Sequence, residues 1–268
     1  MARLRRAMEI AVRQLGKVYR QKGTGERVVA IEDLTFTVRG GELVAIVGQT
    51  GCGKSTFLHI LIGLEAPTRG ALVIDGREPY RDFAAFRGRI AAVFQQDRLL
   101  PWRTVLANVE LGLEILGVPP RQRRATAERW LEQLGLGRFL RAFPNELSGG
   151  MRQRVALARA FALDPEILVA DEAFGHLDEV TAAQIRQDFL ALARAGRKTV
   201  FLVTHQIEEA LTVGERVLVF GRPARLLADI RPEHDTNGAR ARAREAIQAL
   251  LSAGRPPAPW EPAGEGSR

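Results

Sequence analysis

Strict alternation of apolar and polar residues marks Leu34-Thr35-Phe36-Thr37-Val38 as a strand with one buried face. Residues 8–15 read as a second, less regular strand. Uninterrupted apolar runs carry a different message. Residues 43–47 and 167–170 are short and uninterrupted, so they read as enclosed strands, and residues 71–74, 199–203 and 216–220 read as further strands. Residues 89–94 make one more short strand, and Gly40-Gly41 and Asp75-Gly76 supply turns. A helical period dominates from Arg103 to Leu190, where Ala127, Trp130, Leu131 and Leu134 fall on one face. Strands alternating with helices predict an α/β chain, with a mostly helical insertion over about 100–161. Beyond Asp229 the pattern weakens: 239–251 is a candidate helix, and the Pro- and Gly-rich 254–268 reads as disordered. No internal repeat is visible, so one such unit is expected.

Composition narrows the class. With 268 residues, 46% apolar and 26% charged, the chain suits one large α/β domain with an appended lobe. The first twenty residues are arginine-rich without a long apolar core, so no secretory signal is expected. No run approaches the roughly 18 apolar residues of a membrane span. Cys52 is the only cysteine, which excludes an internal disulfide and fits a reducing cytoplasm. Net charge is +8, which admits nucleic acid, anionic lipid or nucleotide partners. Yet only four of the 39 basic residues are lysine and the arginines are scattered, so a bias toward arginine explains the charge better than a nucleic-acid face.

Candidate chemistry begins at Gly48-Gln49-Thr50-Gly51-Cys52-Gly53-Lys54-Ser55-Thr56. It matches the phosphate-loop pattern G-x-x-x-x-G-K-[ST], with a strand before it and a helix after it. The glycines let successive N–H groups converge on one anion, and the helix N-terminus adds its dipole. Lys54 is expected along the β- and γ-phosphates, and Ser55 on Mg²⁺. Cys52, beside that helix N-terminus, is expected as a reactive thiolate that bound ATP would shield from a maleimide. Asp171 and Glu172 end an enclosed strand, at the edge where α/β folds bind ligands. Asp171 is the candidate Mg²⁺ ligand and Glu172 the candidate general base for an attacking water.

Leu147-Ser148-Gly149-Gly150-Met151-Arg152-Gln153 follows a Pro-Asn loop and opens a helix, so Ser148 is placed as an N-cap beside two glycines. This is a second anion site, and one bound nucleotide does not need two. The stretch resembles the signature sequence of ATP-binding cassette proteins. The resemblance spans roughly residues 8–228 and implies a P-loop NTPase cassette: a RecA-like core, an N-terminal antiparallel β subdomain and a helical signature subdomain, with 230–268 as a tail. It implies a homodimer in which each ATP lies between the phosphate loop of one copy and Ser148, Gly149 and Gly150 of the other. Residue by residue, it implies Tyr19 stacked on adenine, Gln95 in the glutamine loop sensing Mg²⁺, Asp178 of Gly175-His176-Leu177-Asp178 at the dimer contact, and His205 on the γ-phosphate. Two positions depart from the pattern: Met151 stands in place of glutamine, and His176 in place of a small residue.

The segment Arg98-Leu99-Leu100-Pro101-Trp102 puts apolar groups on a loop just after Gln95, which suits a groove for a short helix of a membrane partner. It resembles the ATPase subunits of nitrate, sulfonate and taurine importers. That resemblance implies a peripheral protein on the cytoplasmic face of the cell membrane, bound to permease subunits and served by an extracytoplasmic binding protein, with no nucleic acid partner. The alternative is a soluble cassette ATPase acting on nucleic acid or ribosomes, supported by the basic balance.

Overall fold

The computed structural model describes residues 8–21, 23, 25–175, 177–232 and 237–253. The disorder expected for 254–268 and the departure at His176 lie outside them. The chain runs β1 (Glu9–Arg20), β2 (Arg27–Arg39), β3 (Leu43–Gly48), α1 (Lys54–Leu61), β4 (Arg69–Ile74), a single turn α2 (Phe83–Phe86) and β5 (Ile90–Phe94). The helical insertion holds α3 (Val105–Ile115), α4 (Pro120–Gln133) and α5 (Gly149–Ala162). There follow β6 (Ile167–Asp171), α6 (Glu179–Ala195), β7 (Thr199–Thr204), α7 (Ile207–Val213), β8 (Arg216–Phe220), β9 (Ala224–Ile230) and α8 (Asn237–Ala253).

The described strands form one sheet in the order β4-β1-β2-β9-β8-β3-β7-β6-β5. Its two halves differ in direction and in what they bury. Strands β8, β3, β7, β6 and β5 are parallel neighbours. Every residue of β3, β7 and β8 is buried, as expected for strands covered on both faces. Strands β4, β1 and β2 are antiparallel, and β2 buries Leu34, Phe36 and Val38 while exposing Thr35, Thr37 and Arg39. β9 joins the halves, antiparallel to β8 and parallel to β2. The sequence pattern does not reveal β9, because Arg225 and Asp229 break its apolar run. Here Asp229 accepts two bonds from the buried Arg216, at 2.7 and 2.6 Å, so the charge is matched.

Successive strand residues point to opposite faces, and this sorts the core. On one face Val44, Ile46, Val169, Phe201 and Val203 pack with Phe57 of α1. On the other, Leu168, Ala170, Val200 and Leu202 pack with α5 and α6, and Ala45 and Val47 with α7 and α8. Phe57 is fully buried, and its ring lies 5.7 Å from Phe36 of β2, 6.0 Å from Phe201 of β7 and 5.9 Å from Phe220 of β8. One side chain thus ties α1 to both halves of the sheet, a burial contributing about 1.5–3 kcal/mol. In the helical insertion Ala127, Leu131 and Leu134 are buried, and Trp130 packs on Phe161 at 5.3 Å. Past β9, α8 buries Ile247 and Leu250 against the sheet.

Candidate active site

The turn from β3 into α1 is built by steric exclusion. Gly51 and Gly53 take left-handed backbone, with φ of 73° and 111°. A Cβ on Gly53 would stand 2.3 Å from the Ala30 carbonyl oxygen and 2.9 Å from Ala224 Cβ, so no larger residue fits. The Lys54 ammonium donates to the carbonyls of Gly48 at 2.7 Å and Gln49 at 3.0 Å, and the loop curls around it. Ser55 and Thr56 complete the first turn of α1, a helix with no side-chain N-cap, so its first N–H groups are suited to an anion.

Cys52 corrects the expectation of a thiolate. The side chain is 1% exposed and packs in the apolar core with Phe57. Burial pushes the thiol pKa up, outweighing the opposing pull of Lys54 and of backbone N–H groups. Being in the phosphate loop is not the same as facing the phosphate.

Strand register assembles the acids. Phe94 pairs with Asp171, Asp171 with Val203, and Thr204 with Val47. Gln95, Asp171-Glu172 and His205 therefore leave the sheet along the edge where β3 enters the phosphate loop. The Asp171 carboxyl is pushed above its ordinary range by burial and by Glu172, while His59, Lys54 and a hydrogen bond from Ser55 oppose the shift. Glu172 is held in left-handed backbone, φ 47°, with its N–H donating to Val203 O at 2.9 Å. Its carboxylate lies 3.4 Å from Nδ1 of His205. Tyr19 reaches the same place from β1. Its hydroxyl donates to Glu65 at 2.5 Å and bonds the Thr56 side chain, so the half-buried ring stands beside the first turn of α1. Burial, then Glu65, raises the phenol pKa.

The donors fit Mg²⁺ when substrate is present. A half-buried carboxylate bonded to a serine hydroxyl supplies hard oxygen ligands. Among the described residues no group of three His, Cys, Asp or Glu forms a self-sufficient metal cage. Mg²⁺ here would draw its remaining ligands from water and phosphate oxygens, its usual habit.

Ser148, Gly149, Gly150 and Asp178 belong to a different neighbourhood. Ser148 Oγ accepts from Met151 N at 3.3 Å, capping α5. A Cβ on Gly149 would meet Leu177 at 3.5 Å, and one on Gly150 would meet Thr181 at 2.7 Å. Asp178 caps α6 by accepting from Thr181 N at 2.9 Å, which holds its carboxyl below the ordinary range. These residues group around the start of α6, whereas the phosphate loop touches Ala30, Phe220 and Ala224. Met151 is half-buried against the helical lobe. Gln95 borders both neighbourhoods: it follows the strand beside Asp171 and lines a pocket with Gly149, Arg152, Gln153 and Leu177.

Three contacts here escape sequence reasoning. Gln153 is 4% exposed and donates to Ala173 O at 2.6 Å, tying α5 to the turn after Glu172. Its signal is a polar residue on the apolar face of a helix. Gln49 Nε2 donates to Leu251 O of α8 at 2.9 Å, and Arg222 Nη2 lies 3.9 Å from where a Cβ on Gly51 would be. Only the fold brings those segments together.

Comparison with known proteins points the same way. A family model described as "ABC transporter" matches residues 31–175. The chain is 42% identical over 241 residues to a taurine import ATP-binding protein of Rhizobium johnstonii, covering 85% of this chain and 90% of that one. It is 41% identical over 223 residues to an uncharacterized ABC transporter ATP-binding protein of Methanocaldococcus jannaschii, covering 83% and 81%. A solved dimeric bacterial ABC transporter cassette superposes with a TM-score of 0.73 at 34% identity, covering 83% of this chain and 98% of that one. A second structure of that same cassette, with the same score, identity and coverage, holds ADP and Pi in a post-hydrolysis state.

Proposed function

Because the chain belongs to the ABC transporter family and is an ATPase of the importer type, we propose that two copies of it drive a permease importing a small sulfonate or oxyanion, of the taurine, sulfonate and nitrate kind. The observation that carries this reading is the 42% identity to a taurine import ATP-binding protein across 90% of that protein's length. Among the described residues no helix is long and apolar enough to cross a membrane, so spans for the substrate would come from other chains. Membrane attachment is then peripheral, on the cytoplasmic face, with an extracytoplasmic binding protein delivering substrate.

The loop after Gln95 supports the docking role, in altered form. Leu99 is buried and Leu100 half-buried, so the two leucines face inward, while Trp102 is 71% exposed. Asn108, fully buried, accepts from Leu100 N at 2.8 Å and donates to the carbonyls of Leu100, Arg103 and Thr104 at 3.0–3.1 Å. A rigid loop presenting one bare indole suits an apolar helix from a partner.

In the proposed cycle the phosphate loop and Lys54 hold the ATP phosphates, and Tyr19 offers its ring to the adenine. Ser55, Asp171 and Gln95 would hold Mg²⁺, which supplies charge neutralisation at the transferring phosphoryl group. Glu172 accepts a proton from the attacking water, and His205, within reach of Glu172, orients on the γ-phosphate. Ser148 and the glycines after it close the second face of the nucleotide from the other copy, with Asp178 at the seam.

The test is a pull-down of tagged Glu172→Gln protein from native membranes with ATP and Mg²⁺, partners being identified by mass spectrometry. Recovery of a multi-span permease is expected. Recovery of soluble or nucleic-acid partners alone overturns the importer reading. The basic charge favours a nucleic-acid role less well, since Arg69, Arg89, Arg103, Arg152 and Arg216 are bound to carboxylates.

A further inference from the structure

Two arginines of α5 grip the segment that follows Gln95. Arg152 Nε donates to Asp97 Oδ2 at 3.0 Å, and its Nη1 donates to Leu147 O at 2.8 Å. Arg159, two turns along, donates to the carbonyls of Asp97 at 2.7 Å and Arg98 at 2.8 Å. Burial pulls the Arg159 guanidinium below its ordinary pKa, and these carbonyls stand in for the water it has lost. Asp97 Oδ1 also accepts from Leu99 N at 3.1 Å, and the Arg98 guanidinium lies 3.9 Å over the Phe94 ring. On the other side Asn108 holds residues 100–104, as described above.

The consequence concerns Ser148. It is exposed at the first turn of α5, and its own cap bond is 3.3 Å long. A helix end secured only by such a cap frays readily. Arg152 adds a second restraint, because the same guanidinium bonds the residue before Ser148 and the Asp97 carboxylate. The stability such a half-exposed pair adds is small, so its value lies in geometry.

We infer that Asp97 is a positioning residue for the second half of the ATP site. Acting through Arg152, it fixes the turn that presents Ser148 and the α5 N-terminus to ATP held by the other copy. The same bond joins that turn to the loop carrying Trp102, so a displacement imposed on one is transmitted to the other. This inference rests on the two-copy sandwich proposed above.

The experiment separates the two readings. In the Glu172→Gln background, ATP-dependent dimerisation is measured by sedimentation, and ATP binding to the monomer by titration with a fluorescent ATP analogue. Asp97→Ala should weaken dimerisation about tenfold, the size of an ordinary coupling between sites. Monomer affinity for the analogue and the thermal midpoint should hold. Asp97→Glu should recover dimerisation. Arg152→Ala should match Asp97→Ala, and the double variant should be no worse than either alone. Undiminished dimerisation of Asp97→Ala, or additive losses in the double variant, overturns the inference while leaving the sandwich standing. Failure of Glu172→Gln itself to dimerise removes the sandwich and this inference with it.

Discussion

Two segments of this chain use the same device, a glycine-flanked helix N-terminus, and they are built in opposite ways. The phosphate loop is enclosed. Gly53 lies against Ala30 and Ala224, Lys54 is 5% exposed, and a carboxylate, a hydroxyl and a histidine share its edge of the sheet. The segment 148–150 sits at a helix start where Ser148 is exposed and a Cβ on either glycine would meet side chains alone, those of Leu177, Arg152, Thr181 and Ile185. Its cation, Arg152, is turned away toward Asp97. Under the proposed function, the first would serve as a phosphate site within one copy. The second offers N–H groups and a serine but no catalytic group, and in the proposed sandwich it would act only opposite another copy. On that reading enclosure marks the half that binds, exposure the half that closes.

The sharpest way to break this comparison is to add one methyl group to each half. Gly53→Ala must escape both a 2.3 Å contact and a φ of 111°. Strain and overpacking should together cost about 2–6 kcal/mol, with loss of ATP binding. Gly149→Ala meets only an ordinary 3.5 Å contact at the first residue of a helix, so its stability should stay within about 1 kcal/mol of the parent. Paired urea melts and nucleotide titrations read both. Equal losses in the two variants would erase the distinction.

Asp171→Asn comes next and has two effects of opposite sign. Under the proposed role it removes the Mg²⁺ ligand, and turnover should fall about a hundredfold or more. The folded-state pKa of Asp171 is raised. Its contribution to stability is therefore fully present below the unfolded value, about 3.9, and is lost as pH rises through the folded value. At pH 7 the nucleotide-free Asn variant should thus unfold at higher urea than the parent, and the gap should close toward pH 4. A variant less stable than the parent at pH 7 would show that the carboxylate is compensated in the fold.

How much of this was legible in advance follows from how local each determinant is. The enclosed strands and the Ser148 cap are encoded within a few neighbouring residues, and the structure has them where the pattern puts them. β9 was hidden because its charges are matched only on other strands, Asp229 by Arg216 and Arg225 by Glu32. The contact of Gln49 with α8, and the grip of Arg152 and Arg159 on 97–98, depend on segments more than 50 residues apart. The Leu99-Leu100 pair misled for the converse reason: consecutive apolar residues on a loop look exposed until Asn108 turns the loop inward.

Ser148→Ala carries a smaller effect, the loss of an N-cap worth about 1 kcal/mol, with ATP binding to the monomer retained. Chemical denaturation of the monomer measures it. A loss of monomer ATP affinity would place Ser148 in the enclosed half and overturn the division.

Cys52 gives the finest test, because it asks whether the enclosed half is as closed as its packing implies. A thiolate at a helix N-terminus would react fast with a maleimide at neutral pH, and ATP would protect it. A thiol 1% exposed, with its pKa raised by burial, should react only when the loop opens. Labelling at pH 7.5 should therefore run at least about tenfold slower than in urea, where the thiol titrates near its free value of about 8.5. The raised folded value also fixes a sign. Protonated Cys52 contributes stability below the unfolded pKa, and that contribution is lost as pH climbs through the folded one. The parent should accordingly lose stability above about pH 8.5, and Cys52→Ala should flatten the loss. Rapid labelling without denaturant would mean that the phosphate loop spends much of its time open. The contrast between an enclosed binding half and an exposed closing half would then be one of degree.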